Sequence, residues 1–342
     1  RSLFTALRWD LLIKLFGKNW IDKILPPVVI GPMIMVIGLA LAPTAVQEIG
    51  IDGTVAFAWK PVVVALVSFL VTAFVAIGAK GFTKVIPFLI GIASGYILAA
   101  IFGLIDFTPV KEASFFSIPA FVLPIKDYTF SASGLLTIMP IALVTIAEHM
   151  GDHMALGAII GKDLVKDPGL DRTLLGDGLA TLTAGLLGGP ANTTYGENTS
   201  VVGMTKVASV WVIGLAAIIA ILMAFLGKLT ALLGTIPNPV LGGVALLLYG
   251  FISVNGLKVL VANQIDFNNL RNVVIASTML VLGLGGAVIA INTNNAQVSI
   301  SGMSLAAFAG IILNLVLPQD KEYDESKDRV NRLGNRLSRK TK

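Results

Sequence analysis

The sequence predicts an all-α polytopic membrane protein, and three observations predict it. Hydrophobic residues fill 55% of the 342 positions and charged residues only 13%, with a mean hydropathy of +0.85. A water-soluble domain carries about 45–50% apolar and about 25% charged residues, enough polar surface to cover itself. The apolar residues fall in runs near the length of a bilayer crossing, roughly 20 residues per helix. The basic residues sort to one side: with both chain ends in the cytosol, 21 of the 25 Lys and Arg are cytosolic, and only Lys60, Lys111, Lys126 and Lys228 face outward. The net charge of +5 is therefore an orientation signal, with the lipid bilayer as the partner and no nucleic acid. The absence of cysteine excludes disulfides and thiolate metal sites.

Ten spans are expected, at 24–41, 61–77, 85–102, 135–154, 174–187, 197–205, 210–226, 239–254, 272–284 and 305–317. Residues 1–23 are read as an N-terminal remnant of a lost span or an interfacial helix. Pro109, Pro119 and Pro124 break up 103–134, which is expected to be an external loop. Two spans are short. The run at 174–187 ends in Gly188, Gly189 and Pro190, and 197–205 is about half a crossing. Backbone that is not helical at membrane depth persists only where protein or a water-filled cavity surrounds it, so this break marks a candidate site. Asn192, Thr193 and Thr194 are suited to satisfying the backbone groups the break leaves loose. Small residues at Gly242, Gly243, Gly283, Gly285 and Gly286 suit close helix contacts. The charged tail 318–342 is placed in the cytosol.

Ionisable groups within spans are costly, about 2.5–3.5 kcal/mol each on insertion scales, and are functional candidates by default. One cluster is Glu148-His149-Met150-Gly151-Asp152-His153. Glu148 and Asp152 are four apart and share a helix face, with His149 and His153 on the neighbouring one. A carboxylate in a low-dielectric site can exchange a proton near neutral pH. The plainer alternative puts Asp152 and His153 in water at the cytosolic helix end. The second cluster is Gly188 to Asn198, where a short helix starting near Glu197 would present free N–H groups and a positive dipole end to a ligand; alternatively Glu197 only caps that helix. Asp177 is read as a dipole or packing residue near a helix start, and Tyr249 as packing. A competing enzyme reading takes His149 and His153 as an intramembrane zinc pair, since H-x-x-D-H imitates H-x-x-E-H.

The stretches Ala147-Glu148-His149, Lys162-Asp163-Leu164 with Asp167-Pro168-Gly169-Leu170, and Asn192-Thr193-Thr194-Tyr195-Gly196-Glu197-Asn198 resemble the nucleobase–cation symporter family that includes ascorbate carriers, in its bacterial uracil permease branch. Trp211-Val212-Ile213-Gly214 and Leu246-Leu247-Leu248-Tyr249-Gly250 resemble it too. The resemblance implies a fourteen-span inverted-repeat transporter fold with core and gate domains, of which this chain holds about ten spans and lacks the first four. Gate-domain helices of the first repeat then occupy 24–102, an extracellular loop 103–134, core-domain helices with the broken helix and substrate site 135–226, and gate-domain helices of the second repeat 227–317. It implies proton-coupled symport of uracil across the cytoplasmic membrane by alternating access, without a cofactor and without catalysis, and leaves room for a homodimer through the gate helices; the alternatives are the metalloenzyme above and a truncated, non-transporting fragment. By the same resemblance Glu148 hydrogen-bonds the base and Glu197 holds its other edge, assisted by backbone N–H groups near Tyr195 and Gly196. Glu148, His149 and Asp152 form the proton-coupling set, with Asp152 where some relatives place a histidine. Two departures stand out. Ser200 replaces a usual glycine two positions after Asn198, and the missing spans include the partner broken helix, whose aromatic residue stacks on the base.

Overall fold

A computed structural model describes residues 23–122, 141–293 and 296–318. The N-terminal remnant, the tail after Pro318, and residues 123–140, which hold the end of the 103–134 loop and the start of the span expected at 135–154, lie outside the described residues. Helices dominate. α1 (Pro27–Ala40) and α2 (Ala42–Ile49) form one apolar run, opened by a proline at the first helical position, where its fixed φ suits a helix start. α3 (Trp59–Gly78), α4 (Pro87–Ile101) and the short α5 (Thr108–Glu112) follow. Next come α6 (Ile141–Ile160), α7 (Leu170–Leu186), α8 (Gly196–Thr205) and α9 (Val210–Met223). α10 (Gly227–Gly234), α11 (Asn238–Ala262) and α12 (Leu270–Leu284) precede an antiparallel hairpin of β1 (Ile289–Thr293) and β2 (Ala296–Ile300), with α13 (Gly302–Val316) last. The chain is an integral membrane protein. Among the described residues, Pro27–Ile49, Trp59–Gly78 and Asn238–Ala262 are long and apolar enough to cross a bilayer, and four shorter apolar helices accompany them.

α1 lies at the centre, packed on α11, α12, α13 and α6. Val29, Ile30 and Met33 of α1 join Met150 of α6, Ile275 and Met279 of α12, and Ala306 and Ala307 of α13 in one buried cluster. A second cluster joins Val64 of α3, Ala99 of α4 and Val240 of α11. In a bilayer these contacts gain little from leaving water, because lipid tails are as apolar as leucine; close packing of backbones does the work instead. At Gly256 of α11 an added Cβ would sit 2.5 Å from the Gly31 carbonyl of α1, and at Gly242 it would meet the Ala45 carbonyl of α2 at 2.9 Å. Ser253 of α11 also donates to the Met35 carbonyl of α1 (3.2 Å).

The expected spans and the observed helices differ in instructive places. α7 begins at Leu170, so Asp177 sits two turns inside it and not near a helix start. α11 runs eight residues past the expected end at 254, through Gly256 and Lys258 to Ala262. α10 and the β1–β2 hairpin were not expected at all. Gly242, Gly243 and Gly283 make close helix contacts as expected, whereas Gly286 turns the chain at φ 69 with open space around it. Between α6 and α7 the chain passes outside the spans. There the Asp163 carboxylate accepts from Lys166 (3.0 Å), which lowers its proton affinity. An ion pair this exposed contributes little to stability.

Candidate functional site

α6 carries the polar face. Its residues around Glu148 and Asp152 pack against α8 and against the extended segment that precedes it. That segment is extended for a local reason. Gly188 takes φ 88, Pro190 lacks an N–H, and Tyr195 at the helix N-cap is in the β region. The break predicted from 188–196 is thus observed, and α8 is a ten-residue helix beginning at Gly196.

The break is tied to both neighbouring helices. Thr181 Oγ1 of α7 donates to the Asn192 backbone carbonyl (3.1 Å) and to its side-chain oxygen. Thr193 Oγ1 donates to Glu148 Oε2 (3.3 Å), and Thr194 Oγ1 lies 2.6 Å from His149 Nδ1. Gly196 sits directly against Asp152: a Cβ there would be 2.9 Å from Asp152 Oδ1 and 3.3 Å from Oδ2. Sequence reasoning gave Thr193 and Thr194 to loose backbone groups. Their hydroxyls go to the side chains of α6, a pairing across 45 residues that no local pattern announces.

His149 is 3% exposed, and Glu148, Asp152 and His153 are half-buried, so none of the four stands free in water. His153 Nδ1 lies 3.0 Å from the His149 carbonyl; since a carbonyl only accepts, that nitrogen carries the hydrogen. The two imidazoles lie 4.0 Å apart, tilted by 30°. No group of three His, Cys, Asp or Glu among the described residues is arranged to hold a metal ion, so the zinc-pair reading finds no third ligand there. Glu197 occupies the second position of α8; its side chain lies outside the described residues. Tyr195, 57% exposed, and Gly196 form the helix start beside it. A separate cavity of 190 Å³ opens between the far ends of α6 and α8, lined by Ile159, Ile160, Val202, Lys206 and Ala208. It is eleven residues along α6 from Glu148, about 16 Å at 1.5 Å per residue, and does not belong to this site.

Apolar helices of membrane-crossing length, with ionisable side chains gathered beside a helix start, fit an integral membrane protein with a polar site among its helices. The family model described as Permease family (Xan_ur_permease) matches residues 2–291. The chain is 48% identical to the uracil permease of Bacillus subtilis (strain 168) over 318 residues, covering 91% of this chain and 73% of the relative. It is 46% identical to the uracil permease of Bacillus caldolyticus over 312 residues, 90% of this chain and 71% of that one. With the uracil permease of Escherichia coli (strain K12) it shares 40% over 308 residues, 89% and 70% of the two chains. This chain belongs to the nucleobase–ascorbate transporter family, in its uracil permease branch.

Proposed function

We propose that this chain carries uracil across the cytoplasmic membrane together with a proton, by alternating access, at a site between α6 and the start of α8. The observation that supports this most directly is the junction of Glu148 and His149 with the broken segment, in a chain 40–48% identical to proteins named uracil permeases. Uracil presents two N–H donors and two carbonyl acceptors around a flat ring. A carboxylate accepts from N–H, and the unpaired N–H groups of a helix's first turn donate to carbonyls. Glu148 and Glu197 take the two N–H edges, and the backbone near Tyr195 and Gly196 takes a carbonyl. Glu148, with His149 and Asp152 beside it, carries the proton.

In this reading 135–226 belongs to a core domain and 24–102 with 227–317 to gate domains of an inverted-repeat fold. Uptake alternates as these domains move against each other, and the gate helices offer a surface for a homodimer. The test of substrate is competition in cells expressing the full-length protein. Unlabelled uracil should displace labelled uracil at lower concentration than xanthine does; the reverse order would sink the assignment.

A further inference from the structure

Two consecutive residues of α6 are held by two consecutive residues of the break: Glu148 by Thr193 at 3.3 Å and His149 by Thr194 at 2.6 Å. Asn192, just before them, is held by Thr181 of α7. His149 is the most buried of the ionisable residues here, and its ring stacks on His153. In a low-dielectric setting two stacked imidazoles do not both hold a charge. The Thr194 contact is with Nδ1, while Nε2 on the other ring edge is buried with no hydrogen-bond partner among the described residues.

We propose that Thr194 is a positioning residue whose hydroxyl links the protonation of His149 to the segment that opens α8. This rests on the proton-coupled reading above. A neutral imidazole accepts at one ring nitrogen and donates at the other, whereas an imidazolium donates at both. When Nδ1 is the accepting nitrogen, Thr194 O–H donates to it. Protonation then makes Nδ1 a donor, the hydroxyl must turn to accept, and its own hydrogen is released toward another acceptor. A methyl group in the same place transmits nothing. The other titratable residues beside His149 on α6 are Glu148, Asp152 and His153, and α8 carries Glu197 at its second position. Asp171, Arg172 and Asp177 lie on α7, and Lys166 and Asp167 on the turn before it; α1 and α13 carry no ionisable residue.

The experiment compares T194V, which keeps shape without the hydroxyl, with T194S, which keeps the hydroxyl, in the full-length protein. Uracil uptake is measured across pH, and the His149 imidazole is titrated by ¹⁵N NMR with the signal assigned by H149Q. T194V should lower both midpoints by up to about 1 pH unit, because the hydroxyl's bond to the charged ring is stronger than its bond to the neutral ring and the difference between the two sets the shift, and T194S should track the wild type. PH-dependent wild-type uptake with a T194V profile superimposed on it would overturn the role of Thr194 alone. Wild-type uptake indifferent to pH would overturn the proton reading and this inference with it. If T194V and T194A fail to accumulate while T194S accumulates, Thr194 serves the fold and the inference is overturned.

Discussion

Gly196 is the residue where packing and chemistry meet most closely. A Cβ there would press on the Asp152 carboxylate at 2.9 and 3.3 Å, and the atoms that must give are the end of a short side chain, not backbone. Overpacking of this kind costs about 1–3 kcal/mol. Gly196→Ala should therefore lower the Tm of the purified protein and, by displacing the Asp152 carboxylate, reduce uracil uptake per molecule in the membrane. Uptake assays normalised to membrane abundance check this; unchanged uptake would show that Asp152 tolerates displacement. The sequence pointed to Glu148, Asp152 and His149 because charged residues in an apolar run are expensive. It did not point to Thr193 or Thr194 as their supports, or to Thr181 as a tether of Asn192. Threonine is common in spans and its hydroxyl can bond its own helix, as Thr183 does to Leu179, so composition cannot distinguish the two uses.

At the scale of elements, the α3–α4 contact shows what holds the helices. Gly91 and Gly95 of α4 lie against Thr72 and Ser68 of α3, both fully buried, whose hydroxyls turn to the Ser68 and Val64 carbonyls of their own helix. No larger residue fits between these backbones. Gly91→Ala should destabilise by about 1–3 kcal/mol, seen as a lower Tm of the purified protein in detergent. Gly214→Ala on α9, where a Cβ meets nothing within 4 Å, should leave the Tm unchanged or raise it. Equal losses from both would refute packing as the cause. The break before α8 was legible because Gly188, Gly189 and Pro190 end a helix whatever surrounds them. The β1–β2 hairpin was not, although Gln297 and Ser299 alternate with Ala296, Val298 and Ile300 in the period of a strand: five residues per strand are a weak signal between long apolar helices. The start of α7 was missed for a related reason, because its first turn is polar and the apolar pattern begins later.

For the whole molecule, the distribution of basic residues sets orientation. Arginine and lysine favour the cytosolic side, so the turn between α6 and α7 should be inside and the start of α3 outside. The chain has no native cysteine, so single cysteines report cleanly. Asp167→Cys should resist an impermeant thiol reagent applied to whole cells, and Lys60→Cys should react; the opposite pattern would invert the topology. Membrane character was legible from composition alone. How the spans pack was not, because α1 contacts α11, α12 and α13 across more than 200 residues of sequence, and an apolar stripe does not name its partner.

The central claim is that Glu148 both binds uracil and carries the proton. Glu→Gln keeps the shape and an acceptor oxygen but removes the titratable group. The deciding measurement is uracil binding and uptake at two pH values in full-length wild type, Glu148→Gln and Glu197→Gln. Glu148→Gln should retain part of its binding and lose proton-driven accumulation, while Glu197→Gln should lose mainly binding; Glu197→Ala, which leaves one ligand N–H unpaired, should weaken binding by about 5–150-fold. Wild-type, pH-dependent uptake by Glu148→Gln would remove that residue from the mechanism and contradict the account.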